Sequence, residues 1–311
     1  VKTTHRNYAE RLDDFNRIAR FIITQNAQIR SHSTWCLGRF LDWKYGLWGN
    51  KLSIPGFCEQ NAQLWFDGFD ELAGFAVSED GNCDIAIITA TGYRFLFEEI
   101  LHWVLENWGS RKPGLSIEIT ALQTLEAGLL ERNGFQRQSS FYTSHFDLSA
   151  ELPARIPLED GFTIVDMHTH PDYRAQRILR ADAFRNKADY SEEEMTHELS
   201  VDAYARESPI YHPQTDLCVM APDGSFAAGC EALIDARNVE ADIERVCTHS
   251  SYRRRGFGRV VIQECLERLR AMGLQRAYIT GYSQGAIALY GSLGAQKRTE
   301  SLVYRQSICG G

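Results

Sequence analysis

Residues 251–260 read SYRRRGFGRV, with four arginines and two glycines in ten residues of a chain whose formal net charge is -8. Upstream, ADIERVCTHS (241–250) has the character of a strand, with Val246 and Cys247 in its apolar part. Downstream, apolar residues fall at Val261, Cys265, Leu269 and Met272, a spacing that predicts a helix with one buried stripe, stopped by Gly273. The basic loop therefore joins a strand to a helix N-terminus. Free backbone N–H groups and a positive dipole end meet there. Glycines let the backbone approach a ligand closely, and arginines add charge and forked hydrogen bonds. This combination predicts a cradle for phosphate or pyrophosphate.

The rest of the composition narrows the field. A length of 311 residues suits two ordinary domains. A hydrophobic content of 44% with 24% charged residues is that of a soluble globular chain. No apolar run reaches the roughly 18 residues of a membrane helix. VKTTHRNYAERLDDF lacks the apolar centre of a signal peptide, so a cytoplasmic location and no membrane partner are expected. The eight cysteines are scattered without a C-x-x-C pair, which points to packing rather than zinc or disulfides. The acidic balance argues against a nucleic-acid partner, which would need a basic face.

The two halves run in parallel. GYRFLFEEILHWVLENWG (92–109) corresponds to GRVVIQECLERLRAMG (258–273), and GLSIEIT (114–120) to QRAYITG (275–281). Each half then ends in a helical run, a glycine (Gly134 or Gly294) and a strand, which sets Leu130 opposite Tyr290. An ordered set of matches predicts an internal duplication. The boundary is expected near 148–160, around Pro153 and Pro157, giving domains 1–150 and 151–311. The first half lacks the arginine–glycine loop.

The loop has neither G-x-x-x-x-G-K-[ST] nor G-x-G-x-x-G, which disfavours a P-loop nucleotide site and a Rossmann dinucleotide site. Instead, Arg253-Arg-Arg-Gly256-Phe-Gly258, preceded by ERVCTH, resembles the R-x-x-G-x-G acetyl-CoA signature of the GNAT acyltransferase superfamily. SQGAIALYGSLGA (283–295) is similar to that superfamily's N-x-x-A-x-x-x-Y-x-x-x-G-F. The resemblance covers about residues 160–306. Three positions depart from it: Ser283 for the usual Asn, Ser250 for Pro and Ala295 for Phe. The Ser283 departure bears on a pantetheine contact, and the other two are read as changes of packing.

The resemblance implies an α/β (α+β) fold of two GNAT-like domains, each a mixed, mostly antiparallel sheet flanked by helices and splayed at the cofactor. It implies that acetyl-CoA is the co-substrate and the amine of a small molecule the acceptor, in a monomer or homodimer. Its pyrophosphate would lie on the loop formed by Arg253, Arg254, Arg255, Gly256, Phe257, Gly258 and Arg259. Val246, Cys247 and Thr248 would pair their main chain with the pantetheine, near Ser283. Strand alternation would set Glu244, Val246 and Thr248 on one face. Glu244 is the candidate base, acting through water, and Tyr290 the candidate acid. A main-chain N–H near Val246 or Cys247 would serve the thioester oxygen. Leu130 cannot donate a proton, so the first half is expected to be catalytically silent. The alternative is a non-catalytic acyl-CoA-binding sensor or interaction module.

Other features have plainer readings. Cys247 could attack an acyl group, with His249 two residues on, but a buried packing cysteine is the expectation. His168 and His170 read as a loop pair, and no metal is expected. The aromatic residues Trp35, Phe40, Trp43, Tyr45 and Trp48 could wall an acceptor pocket, yet core packing is favoured.

Overall fold

The computed structural model describes residues 2–29, 35–45, 54–111, 114–187 and 189–306. They form two units by packing: Val1–Phe141 with Thr299–Gly311, and Tyr142–Arg298. In chain order, the first half supplies β1 (Thr4–Asn7), α1 (Asp14–Ile29), α2 (Leu37–Tyr45), the short α3 (Phe57–Asn61), β2 (Ala62–Phe66), β3 (Leu72–Ser78), β4 (Asp84–Thr89), α4 (Leu96–Trp108), β5 (Ser116–Thr120), α5 (Thr124–Arg132) and β6 (Phe135–Asp147). The second half supplies β7 (Thr163–Asp166), α6 (Tyr173–Arg185), α7 (Glu192–Ala205), β8 (Tyr211–Met220), β9 (Phe226–Asp235), β10 (Glu240–Thr248), α8 (Phe257–Ala271), β11 (Arg276–Gly281), α9 (Gln284–Gly291) and β12 (Lys297–Gln306). Apart from α3, the two halves repeat one order of elements, and the last four of each, helix, strand, helix and strand, are the ones their sequences predict.

In the first unit the strand order is β1-β2-β3-β4-β5-β12. In the second it is β7-β8-β9-β10-β11-β6. The pairs β4/β5 and β10/β11 are parallel. The final strand of each sheet comes from the other half of the sequence. Ser301–Arg305 of β12 pair with β5, and Tyr142–Asp147 of β6 pair with β11. A cut at 150 falls in the connection between β6 and β7, whereas the packed units trade those two strands.

In the second unit, α8 buries Phe257, Val261, Cys265 and Leu269 against Leu217, Val219, Cys230 and Ile243. On the other sheet face, Leu179 of α6 packs with Cys218 and Cys247. Met272 leaves the expected stripe. It lies beyond the end of α8 and is 47% exposed, because the helix is already closing. Gly273 takes φ +87, and the Leu274 N–H bonds the Leu269 carbonyl at 3.1 Å. In the first unit, α4 packs on Ile85, Ile87, Ile117 and Ile119. Trp35, Phe40 and Trp43 are core residues there, within aromatic contact of Phe75, Phe57 and Tyr8. Trp48 and Cys309 lie outside the described residues.

Candidate active site

The site begins where two parallel strands part. β10 pairs with β11 only from Glu240 to Asp242, opposite Arg276 to Tyr278. Yet β10 runs on to Thr248, and β11 continues to Gly281 beside β6. Just past the parting, β10 is bulged. Glu244 stands opposite Glu231 and Cys247 opposite Gly229, so three steps on β10 match two on β9. Arg245 takes the left-handed conformation, with φ 52.

This extra residue overturns the expected alternation. Glu231 and Gly229 share a face, so Glu244 and Cys247 share one also. Val246 instead packs into the α8 side of the sheet, and Thr248 lies on that side opposite Ala228. Thr248 Oγ1 would be 3.2 Å from a Cβ placed on Gly258.

The basic loop follows directly. A single 3-10 turn covers Ser250–Tyr252, and α8 starts after Gly256, which takes φ +86 and offers no side-chain cap. Arg254 is also left-handed, with φ 68. Among the described residues, the main-chain N–H groups of Arg254, Arg255, Gly256, Phe257 and Gly258 have no hydrogen-bond acceptor. The Arg259 N–H is already committed to the Gly256 carbonyl at 2.9 Å, so the run ends at Gly258. A Cβ on Gly256 would meet nothing within 4 Å. Unbonded donors around open space at a helix N-terminus fit an anionic pyrophosphate.

The arginine side chains divide in two. Arg255 pairs with Glu159 and lies over the rings of Phe162 and Phe257, and Arg259 donates to the Ser292 carbonyl at 3.1 Å. Both hold the loop to its own unit. Arg253 and Arg254 are exposed and have no ion pair among the described residues. Ser283 caps α9, its hydroxyl accepting the Ala286 N–H at 3.2 Å.

Tyr290 is 6% exposed and packs against the end of β11. A Cβ on Gly281 would meet its ring carbons at 3.2 Å, tighter than most such contacts, so glycine eases the approach. Burial, and then the Glu244 carboxylate, push the Tyr290 phenol well above the usual tyrosine value. Tyr290 belongs to the α8-side core and Glu244 to the face of Cys247, yet the two are near enough beside the parting of β10 from β11 for the carboxylate to act on the phenol. Cys247 is 6% exposed, and burial pushes its thiol up to about 12, which favours the packing role over the nucleophilic one.

Behind the bulge lies a buried ionic network that the residue pattern did not announce. Glu231 accepts from Arg245 and, at 3.0 Å, from Arg180 of α6. Arg180 also reaches Asp216 at 3.2 Å, and Asp216 accepts from Gln176 at 2.7 Å and Tyr211 at 3.0 Å. The available signal was the density of arginines on α6, which alone reads as a solvated face. The His168–His170 loop instead wraps Asp166, which accepts the His168 and Thr169 N–H groups.

The first unit retains the parting strands but not the bulge. β4 and β5 pair only at Asp84–Ile85 and Ser116–Ile117, and β4 runs alongside β3 without a bulge. Phe95 precedes α4 in right-handed conformation, and Phe97 fills the core at 1% exposure. Arg94 grips Glu126 of α5 through two bonds, at 2.9 and 2.7 Å. Leu130 is wholly buried.

Residues 178–295 match the acetyltransferase (GNAT) family model. No curated protein matches the sequence significantly. A GCN5-related N-acetyltransferase from Sphaerobacter thermophilus is similar over 99% of this chain and 96% of its own, at 18% identity and TM-score 0.66. A tandem GNAT protein from the clavulanic acid biosynthesis pathway is similar over 100% of both chains, at 12% identity and TM-score 0.66. A GNAT-family acetyltransferase from Colwellia psychrerythraea is similar over 98% of this chain and 99% of its own, at 13% identity and TM-score 0.57. At these identities the likeness is one of fold. No helix among the described residues is long and apolar enough to cross a membrane.

Proposed function

We propose that the second unit transfers an acetyl group from acetyl-CoA to the amine of a small-molecule acceptor, and that the first unit is a degenerate copy without a catalytic site of its own. The observation that carries this reading is the run of unbonded N–H groups from Arg254 to Gly258, beside the gap between β10 and β11. Bound there, acetyl-CoA supplies the thioester. The Arg254–Gly258 main chain binds the pyrophosphate, with Arg253 and Arg254 adding charge. The unpaired edge of β10 at Val246, Cys247 and Thr248 aligns the pantetheine, close to the α9 terminus capped by Ser283.

Glu244 takes the proton that the acceptor ammonium must lose, through a water. The bulged main chain near Val246 and Cys247 donates to the thioester oxygen as the carbon–nitrogen bond forms. Tyr290 gives its proton to the sulfur as the carbon–sulfur bond breaks. Its raised pKa keeps that proton available at neutral pH. The buried Cys247 thiol supports direct transfer to the amine over a covalent cysteine intermediate.

Calorimetric titration with acetyl-CoA tests the reading. Gly256→Asn and Gly256→Asp make a matched pair, because both residues tolerate left-handed φ and differ in charge. We expect wild type to bind and the Asp variant to bind at least about tenfold more weakly than the Asn variant, from repulsion of the pyrophosphate. No binding by wild type would sink the proposal. Binding without thioester turnover across a broad amine panel would favour an acyl-CoA sensor.

A further inference from the structure

The loop that carries the cradle is tied at its entry by a residue far from it in sequence. Asp182, on α6, is 7% exposed. One of its oxygens accepts the main-chain N–H of Ser250, and the other accepts the Ser250 hydroxyl at 2.8 Å. His249 Nδ1 lies 3.7 Å from the same carboxylate and accepts the Ser251 N–H at 3.2 Å. Burial opposes ionisation of Asp182, but the two Ser250 bonds, with His249 and Arg253 nearby, hold its carboxyl below the usual aspartate range. Ser250 then opens the 3-10 turn that leads through Arg253 into the unbonded donors at Arg254–Gly258.

The pairing explains a departure noted in the sequence. A proline at 250 would have neither an N–H nor a hydroxyl to offer, and Asp182 would lose both donors. Ser250 therefore changes hydrogen bonding, rather than packing as expected. Asp182 and Ser250 make sense only together.

We propose that Asp182 is a positioning residue for acetyl-CoA, fixing Ser250 from α6 and so holding the start of the pyrophosphate cradle in its binding conformation. The inference rests on the acetyl-CoA reading above. A cradle ordered before binding loses less conformational freedom when the cofactor arrives. Untying about one residue corresponds to roughly tenfold in affinity.

The test is acetyl-CoA titration of the full chain carrying Asp182→Asn, Ser250→Ala, Ser250→Pro, or Asp182→Asn with Ser250→Pro, each checked for thermal unfolding. Proline is tolerated at the first position of a helical turn, and His249 has the extended ψ of 139 that a following proline prefers. Ser250→Pro thus carries the test even if Asp182→Asn misfolds. We expect Asp182→Asn and Ser250→Pro each to weaken binding roughly tenfold, Ser250→Ala to fall between them and wild type, and the double variant to be no weaker than either single one. Folded variants that bind like wild type would overturn the inference while leaving the acetyl-CoA reading intact. Losses that add in the double variant would overturn it too, since the two residues would then act separately. No binding by wild type would overturn the acetyl-CoA reading and this inference with it.

Discussion

A tyrosine can act as an acid only while it keeps its proton, and the surroundings of Tyr290 secure that. Burial and the neighbouring Glu244 both disfavour the phenolate. Because the shift is upward, the acid form persists through neutral pH and beyond the ordinary value of about 10. Tyr290→Phe is expected to lower turnover by about a hundredfold while leaving acetyl-CoA affinity within about twofold. Steady-state rates with calorimetry check this, and a variant that loses affinity but not turnover would contradict it. An alkaline fall in wild-type turnover below about pH 9, traced to Tyr290, would contradict the assignment as well. Cys247 provides a counterpoint. Its thiol is pushed up to about 12, so Cys247→Ala should keep turnover within several-fold of wild type. Inactivity of that variant, with its fold intact, would revive a covalent mechanism.

At the scale of elements, the bulge in β10 organises the site. It moves Glu244 onto the face of Cys247, sends Val246 to the other side and puts Arg245 at positive φ. Left-handed backbone at a side-chain-bearing residue persists where its surroundings hold it. Here Glu231, bonded to Arg245 and Arg180, supplies the hold from β9. Removing one carboxylate leaves two arginines in a buried place without it, so Glu231→Ala should cost about 3 kcal/mol in urea unfolding. Glu231→Gln, which keeps the shape and one acceptor, should cost less. Equal stability of Glu231→Ala and wild type would mean that the network does not support the bulge. Interior alternation and apolar spacing could not reveal this feature, because one inserted residue leaves no mark on composition and depends on the partner strand.

At the scale of the molecule, the traded strands decide what can fold alone. β12 completes the sheet of the first unit through Ser301–Arg305, burying Leu302 and Tyr304. β6 completes that of the second through Tyr142–Asp147, burying Phe146. A piece ending at residue 150 lacks β12, and a piece beginning at 151 lacks β6. Each would expose an unpaired strand edge with an apolar row behind it. Neither piece should show a cooperative thermal transition by itself, and mixing the two should restore one. A cooperative melt from either piece alone, at the temperature of the intact chain, would refute this. Internal similarity could suggest two copies but not which strand closes which sheet, since a strand's own residues do not name its neighbour.

The sequence by itself determined the repeated order of the last elements of each half, the helix that follows the arginine–glycine loop and the acetyl-CoA resemblance of Arg253–Gly258. Each of these depends on local spacing: glycine where positive φ is needed, apolar residues at helical intervals, donors at a helix start. The resemblance of SQGAIALYGSLGA (283–295) to the same superfamily singled out Tyr290. Only the tertiary structure decided the face that Glu244 occupies, the diversion of Arg255 to Glu159 and Arg259 to Ser292, and the bond between Asp182 and Ser250. Those are contacts between segments distant in the chain. Their partners are chosen by packing, and no periodicity within either segment records the choice.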